Sequence, residues 1–95
     1  MRIDKYDFEG PYSINDAFNN IAGVYVIYTK QKCLDVGETS ELKNRIAEHE
    51  RKPCWKRNAN GNPINLAFRK VQRQKERLEL ESYLRDVLKP SCGDK

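Results

Sequence analysis

The chain is poor in the residues that staple small folds together. It has three cysteines, Cys33, Cys54 and Cys92, one histidine, one methionine and one tryptophan. An odd number of cysteines with no CxxC pair fits neither a secreted disulfide framework nor a zinc ribbon, so the thiols are read as reduced and structural. A zinc cluster of His49, Cys54 and Cys92 has suitable ligand types but no recognised spacing. Long apolar runs are also missing. No stretch approaches a membrane span, and Met1 to Asp7 mixes charges where a secretory signal needs an apolar run. The expected address is therefore cytoplasmic, with no membrane partner.

What is there is enough for one modest core. Ninety-five residues, 38% hydrophobic and 34% charged, are polar for a globular chain but short of the signature of disorder. A single domain spanning 1–95 is expected. The net charge of +4 is unevenly spread: residues 1–42 hold four basic and seven acidic groups, residues 43–77 eleven and three, and residues 78–95 three and four. A central basic block containing Lys43, Arg45, Arg51, Lys52, Lys56 and Arg57 suits a phosphate-backbone partner, and equally a solvated, solubilising surface. Trp55, flanked by Lys56 and Arg57, can stack on an unpaired base or close a small core.

Along the chain, Gly10 to Tyr12 reads as a turn, and Ser13 followed by Asp16 resembles a capping box opening a short helix through Phe18, making residues 1–22 an N-terminal brace. GVYVIY from Gly23, the break TKQK and then CLDVG form the pattern of a β-hairpin. Tyr25 and Asp35 share a face of that hairpin only if its turn is odd-length or bulged. Thr39 or Ser40 caps a helix over Glu41 to Glu50, with Arg45 and His49 along the margin of its apolar stripe. Pro53 stops any continuation, and Asn58 to Pro63 is a loop. Ile64 to Val71 alternates as a strand, and Gln74 to Leu88 is an amphipathic helix with Leu80, Tyr83, Leu84, Val87 and Leu88 on one face and Glu81 at its edge.

Four pieces of sequence in order resemble one family: GVY (Gly23 to Tyr25), DVG (Asp35 to Gly37), RIAEH (Arg45 to His49), and a late Glu81 with LKP (Leu88 to Pro90) behind it. Their order and spacing look like the GIY-YIG nucleases, the superfamily that includes homing endonucleases and the incision subunit of bacterial nucleotide excision repair. The resemblance runs from about Gly23 to Gly93. It implies an α/β fold with a small three-stranded antiparallel sheet flanked by helices. It also implies a metal-dependent endonuclease that hydrolyses DNA phosphodiester bonds.

By that similarity Tyr25 would orient or deprotonate the attacking water, Arg45 would bind the scissile phosphate, His49 would assist, and Glu81 would be the single protein ligand of one Mg2+ or Mn2+ ion. The chemistry is coherent, because phosphodiester hydrolysis needs an in-line water and neutralisation of charge on the non-bridging and leaving oxygens. One carboxylate suits a hard ion that keeps most of its waters. The substrate implied is DNA, single-stranded or branched, and a bare module of this kind works within a larger assembly, in DNA repair or a mobile element.

Each residue also has an ordinary reading. Tyr25 can be a strand aromatic, Arg45 and His49 a solvated helix edge, and Glu81 a surface partner of Arg77 or Arg85. Three positions depart from the family pattern. Asp35 stands where the second signature tyrosine would be, Glu38 where a lysine or small polar residue is expected, and Gly93 where an asparagine usually follows the last proline. Asp35 would then act as a second metal ligand or general base, or else repel phosphate and mark a catalytically silent module that binds nucleic acid or protein.

Overall fold

The computed structural model describes residues 1–93, so the last two positions of the expected 1–95 domain lie outside the described residues. The chain opens with two short paired strands, β1 (Arg2–Ile3) and β2 (Tyr6–Asp7), followed by β3 (Glu9–Ser13). The hairpin strands β4 (Gly23–Tyr28) and β5 (Cys33–Thr39) come next, then helices α1 (Leu42–Ala47) and α2 (Lys52–Ala59), strand β6 (Asn65–Lys70) and the long helix α3 (Gln74–Leu88). β3, β6, β4 and β5 form one antiparallel sheet in that order. Among the described residues no helix is long and apolar enough to cross a membrane.

Alternation along the strands sorts the core into two layers. Tyr25, Ile27, Leu66 and Phe68 pack with Leu42, Ile46 and Trp55 on the α1/α2 side, while Val24, Val26, Val36 and Ala67 pack with Leu80 and Leu84 of α3. The hairpin is bulged as its parity requires. Ile27 pairs with Asp35 but Tyr28 with Cys33, so Leu34 is the extra residue and joins the α1/α2 layer out of turn. Tyr25 pairs with Gly37, which puts Tyr25 and Asp35 on the same face. β5 is the outer strand on the hairpin side of the sheet, with β3 at the opposite edge. Its side chains can therefore be reached from both helical layers.

Several expectations are corrected. No helix opens at Ser13. The Ser13 N–H donates to Asp16 Oδ2 at 2.9 Å and the Asn15 N–H to Ser13 Oγ at 3.1 Å, so the capping pattern closes a turn instead. The preceding segment is strand β3, which pairs with β6 and makes the sheet four-stranded where three strands were expected. The single helix expected over Glu41 to Glu50 ends at Ala47, and Pro53, expected only to stop that helix, sits in the first turn of a second one, where its missing N–H costs nothing. Val87, assigned to the buried face of α3, is 45% exposed. Cys54 and Cys92, read as reduced thiols, form a disulfide that ties α2 to the segment after α3, leaving Cys33 as the free cysteine.

Candidate nucleic-acid phosphodiester site at the outer strand

Tyr25 lies in mid-β4, fully buried, with its ring across the backbone of Gly37. A Cβ at Gly37 would collide with that ring and its hydroxyl, so the glycine is what lets the phenol cross the outer strand. The Tyr25 Oη then meets His49 Nε2 at 2.7 Å, with the two rings edge to face. His49 follows α1 and is also buried. Its Nδ1 accepts the backbone N–H of Arg51 at 3.1 Å, so the neutral ring carries its proton on Nε2 and donates it to the phenol oxygen.

Burial, reinforced by the Arg45 and Arg51 charges, lowers the His49 pKa to about 4. Burial raises Tyr25 to about 12, with the Arg45 charge opposing. At neutral pH a neutral imidazole therefore donates to an un-ionised phenol. Arg45 projects from α1, close enough for its charge to act on the Tyr25 hydroxyl, and its guanidinium holds Glu50 through bonds of 2.7 and 3.2 Å.

Glu81 is in mid-α3, with its side chain 24% exposed. Burial raises its pKa; Arg85 opposes this and the Glu38 carboxylate adds to it. The Arg85 Nε stands 3.7 Å from Glu81 Oε2, beyond hydrogen-bond length. A half-buried carboxylate whose arginine stands beyond hydrogen-bond length keeps oxygens that a cation could take. Its hard oxygens fit a magnesium- or manganese-like ion. Among the described residues no group of three or more His, Cys, Asp and Glu side chains is gathered to hold a metal, so the zinc cluster of His49, Cys54 and Cys92 is overturned: two of its three ligands are bonded to each other.

Asp35 is wholly buried and fully occupied. Its Oδ1 accepts from the Val36 N–H at 2.9 Å and Arg85 Nη2 at 2.7 Å, and its Oδ2 from Arg51 Nε and Trp55 Nε1, both at 2.8 Å. The expectation that Asp35 serves as metal ligand or general base is corrected, because four donors occupy the lone pairs either role would need. Trp55 is corrected in the same way. At 1% exposure, bonded to Asp35 and with its ring 4.6 Å from that of His49, it closes the core and has no face for a base.

Of the other basic residues expected to meet nucleic acid, Lys43, Lys56 and Arg57 are exposed. Lys52 donates to the Ala47 carbonyl at 3.1 Å. Arg51, its side chain 25% exposed, is paired with Asp35.

Of the two arginines expected as surface partners of Glu81, Arg85 reaches ion-pair distance, but neither guanidinium is a surface group. Both are buried, Arg77 with its Nε 2.9 Å from Glu38 Oε1 and Arg85 on Asp35. The signal was in the spacing, since Arg77, Glu81 and Arg85 recur every four residues beside Leu80 and Leu84. The family departures also find physical reasons. Glu38 neutralises Arg77. Gly93 has φ +91 and lies against the Arg85 guanidinium, where a Cβ would clash.

The profile of the GIY-YIG catalytic domain matches residues 21–93. No curated protein matches the chain. Among solved structures, three point mutants of the GIY-YIG N-terminal endonuclease domain of UvrC from Thermotoga maritima, each bound to its catalytic divalent cation, are similar in fold. Their TM-scores are 0.63, 0.62 and 0.61 at 19%, 18% and 16% identity, covering 81% of this chain and 87% of theirs. The profile spans most of the chain and all four motif segments, and the chain belongs to the GIY-YIG family.

Proposed function

We propose that this domain is a divalent-metal-dependent endonuclease acting on DNA, with Tyr25, Arg45, His49 and Glu81 as its working side chains. The observation that carries this reading is the contact between Tyr25 and His49 at the outer strand, where side chains from β4, α1 and the segment behind it meet. Glu81 would hold one Mg2+ or Mn2+ ion, which when bound neutralises charge on the phosphate and the leaving oxygen. Tyr25, its oxygen fixed by the His49 N–H, orients the attacking water or, as the phenolate, takes its proton, once the side chains covering its buried hydroxyl part. Arg45 faces the phosphate with charge and donors, once Glu50 yields.

DNA in single-stranded or branched form, a partner assembly, a role in repair or a mobile element, and a cytosolic address belong to the same proposal. A reducing cytosol would open the Cys54–Cys92 bond, so the state of that disulfide in cells tests the address.

A second reading, a nucleic-acid- or protein-binding module without hydrolysis, is favoured by one observation. Arg45 already has both of its Nη groups on Glu50. The test is incubation of the protein with labelled single-stranded, duplex and branched DNA in Mg2+ or Mn2+, beside Glu81→Gln and Arg45→Ala. Cleavage by the parent that both variants lose by orders of magnitude, with binding retained, supports the nuclease. Salt-sensitive binding by all three without cleavage sinks it.

A further inference from the structure

A buried carboxylate at the position of a signature tyrosine looks at first like an obstacle to phosphate. The local charge balance says otherwise. Asp35 is held by two guanidinium groups, Arg51 from the α2 side and Arg85 from α3, so its own charge is more than matched, with Glu50 and Glu81 as the outer partners of those arginines. The two arginines differ in what remains free. Arg85 is buried, and its Nη groups are committed to Asp35 and to the carbonyls of Val36 and Cys92. Arg51 meets Asp35 through Nε alone and is a quarter exposed. Its Nη1 stands 3.5 Å from Oε2 of Glu50, whose side chain is 61% exposed. Neither Nη group is bonded to Asp35, so both are left for a ligand that displaces Glu50, and the arginine's charge reaches Tyr25, His49 and Glu81 alike.

We propose that Arg51, oriented by the buried carboxylate of Asp35, is a second phosphate-binding residue of this site, and that Asp35 is its positioning residue. This rests on the nuclease reading for the identity of the phosphate as the reacting one, but not for its being bound. The Nε contact fixes the plane of the guanidinium, and Trp55 and Arg85 fix the carboxylate in turn, so the Nη edge is set before substrate arrives. A non-bridging oxygen between Arg51 and Arg45 would receive donors from both sides. The tyrosine hydroxyl absent from the outer strand is thus replaced in effect by a cation from the start of α2.

The test separates binding from cleavage. Duplex binding is measured against salt in EDTA, and single-turnover cleavage in Mn2+, for the parent, Arg51→Ala, Arg51→Lys, Asp35→Asn and the double variant. Arg51→Ala is expected to reduce the slope of log K against log salt by about 0.9, the value for one lost phosphate contact on duplex. It should slow single-turnover cleavage at saturating protein about 100- to 1000-fold, a loss that weaker binding does not account for. Arg51→Lys should keep the slope yet recover little of the rate, because an ammonium cannot contact Asp35 and a phosphate with one fixed fork.

Asp35→Asn should keep the slope and lose rate, and Arg51→Ala added to it should cost less than in the parent, a non-additivity that general loss of stability would not produce. Should Asp35→Asn fail to fold, the lysine variant decides. An unchanged slope in Arg51→Ala overturns the inference whether or not the parent cuts DNA. A reduced slope with an unchanged rate overturns the placement of Arg51 at the reacting phosphate. A parent that binds but never cuts, with the slope still lost in Arg51→Ala, sinks the nuclease reading and supports Arg51 as the phosphate contact of a binding module.

Discussion

The hydroxyl of Tyr25 accepts a hydrogen bond from Nε2 of His49 at 2.7 Å, and the tautomer that makes it an acceptor is set from behind by the Arg51 backbone N–H on Nδ1. His49 is thus turned away from taking the phenol's proton and toward steadying any negative charge on its oxygen. With the Tyr25 pKa pushed up to about 12, the phenolate fraction grows tenfold per pH unit through the neutral range. The cleavage rate is expected to rise from pH 6.5 to 9, and Tyr25→Phe to lower it by about 100- to 10,000-fold and flatten that rise. A single-turnover pH profile of both proteins checks this. A Tyr25→Phe protein retaining the parent's slope would show that the phenol takes no part.

His49 also ties stability to acidity. Its folded pKa, about 4, lies below the ordinary histidine value of 6.5, so between those two values the unfolded chain binds more protons than the folded one. Stability therefore rises with pH across that window and is lost on acidification through it. From pH 7 to pH 5 the loss from this one group is about 2 kcal/mol. Urea unfolding at the two pH values, run beside His49→Gln, should show the parent losing about that much more than the variant. Equal losses would mean that His49 is not held neutral by its burial.

How far these relationships could be seen in the chain depends on how local they are. Helix α3 has the bounds its 3.6-residue period predicts, and the β4–β5 hairpin follows from β-branched runs around TKQK. Helix α2 was hidden because Pro53 reads as a stop in a linear scan, although a proline in the first turn is how many helices begin. Ser13 and Asp16 make the hydrogen bonds of a cap without a helix, since the same local geometry closes a turn. The motif residues Tyr25 and His49 were legible through family spacing. The fate of Asp35 was not, because its partners Arg51 and Arg85 lie 16 and 50 residues away, and no periodicity links them. For Trp55, a flanking pair of cations suggested a nucleic-acid surface, whereas its indole N–H was needed inside to satisfy that same carboxylate.

Gly37 follows the same logic of space. Because the Tyr25 ring occupies the volume a Cβ would take, Gly37→Ala should displace the phenol from His49 and destabilise the domain by about 1–3 kcal/mol through overpacking. The expected signature is a lowered Tm together with a cleavage defect close to that of Tyr25→Phe. Gly61→Ala is a useful control for backbone strain, since it has φ +85 but open space around it. It should lose stability through its backbone alone and keep cleavage.

The disulfide between Cys54 and Cys92 closes a loop of 38 residues and fastens the turn that lies on Arg85. Constraining a loop of that length in the unfolded chain contributes about 3–4 kcal/mol. Reduction should therefore lower Tm markedly, by about 4–8 °C for each kcal/mol in a domain of this size. The paired substitution Cys54→Ser and Cys92→Ser should reproduce the reduced protein and be indifferent to reductant. Because the Cys92 carbonyl accepts from Arg85 Nη1 while Arg85 Nη2 holds Asp35, loosening this segment should also weaken the support behind Arg51. The reduced protein is thus expected to show, below its melting range, a cleavage rate lowered toward that of Asp35→Asn. A fully active reduced protein with a lowered Tm would confine the disulfide to stability and detach it from the site.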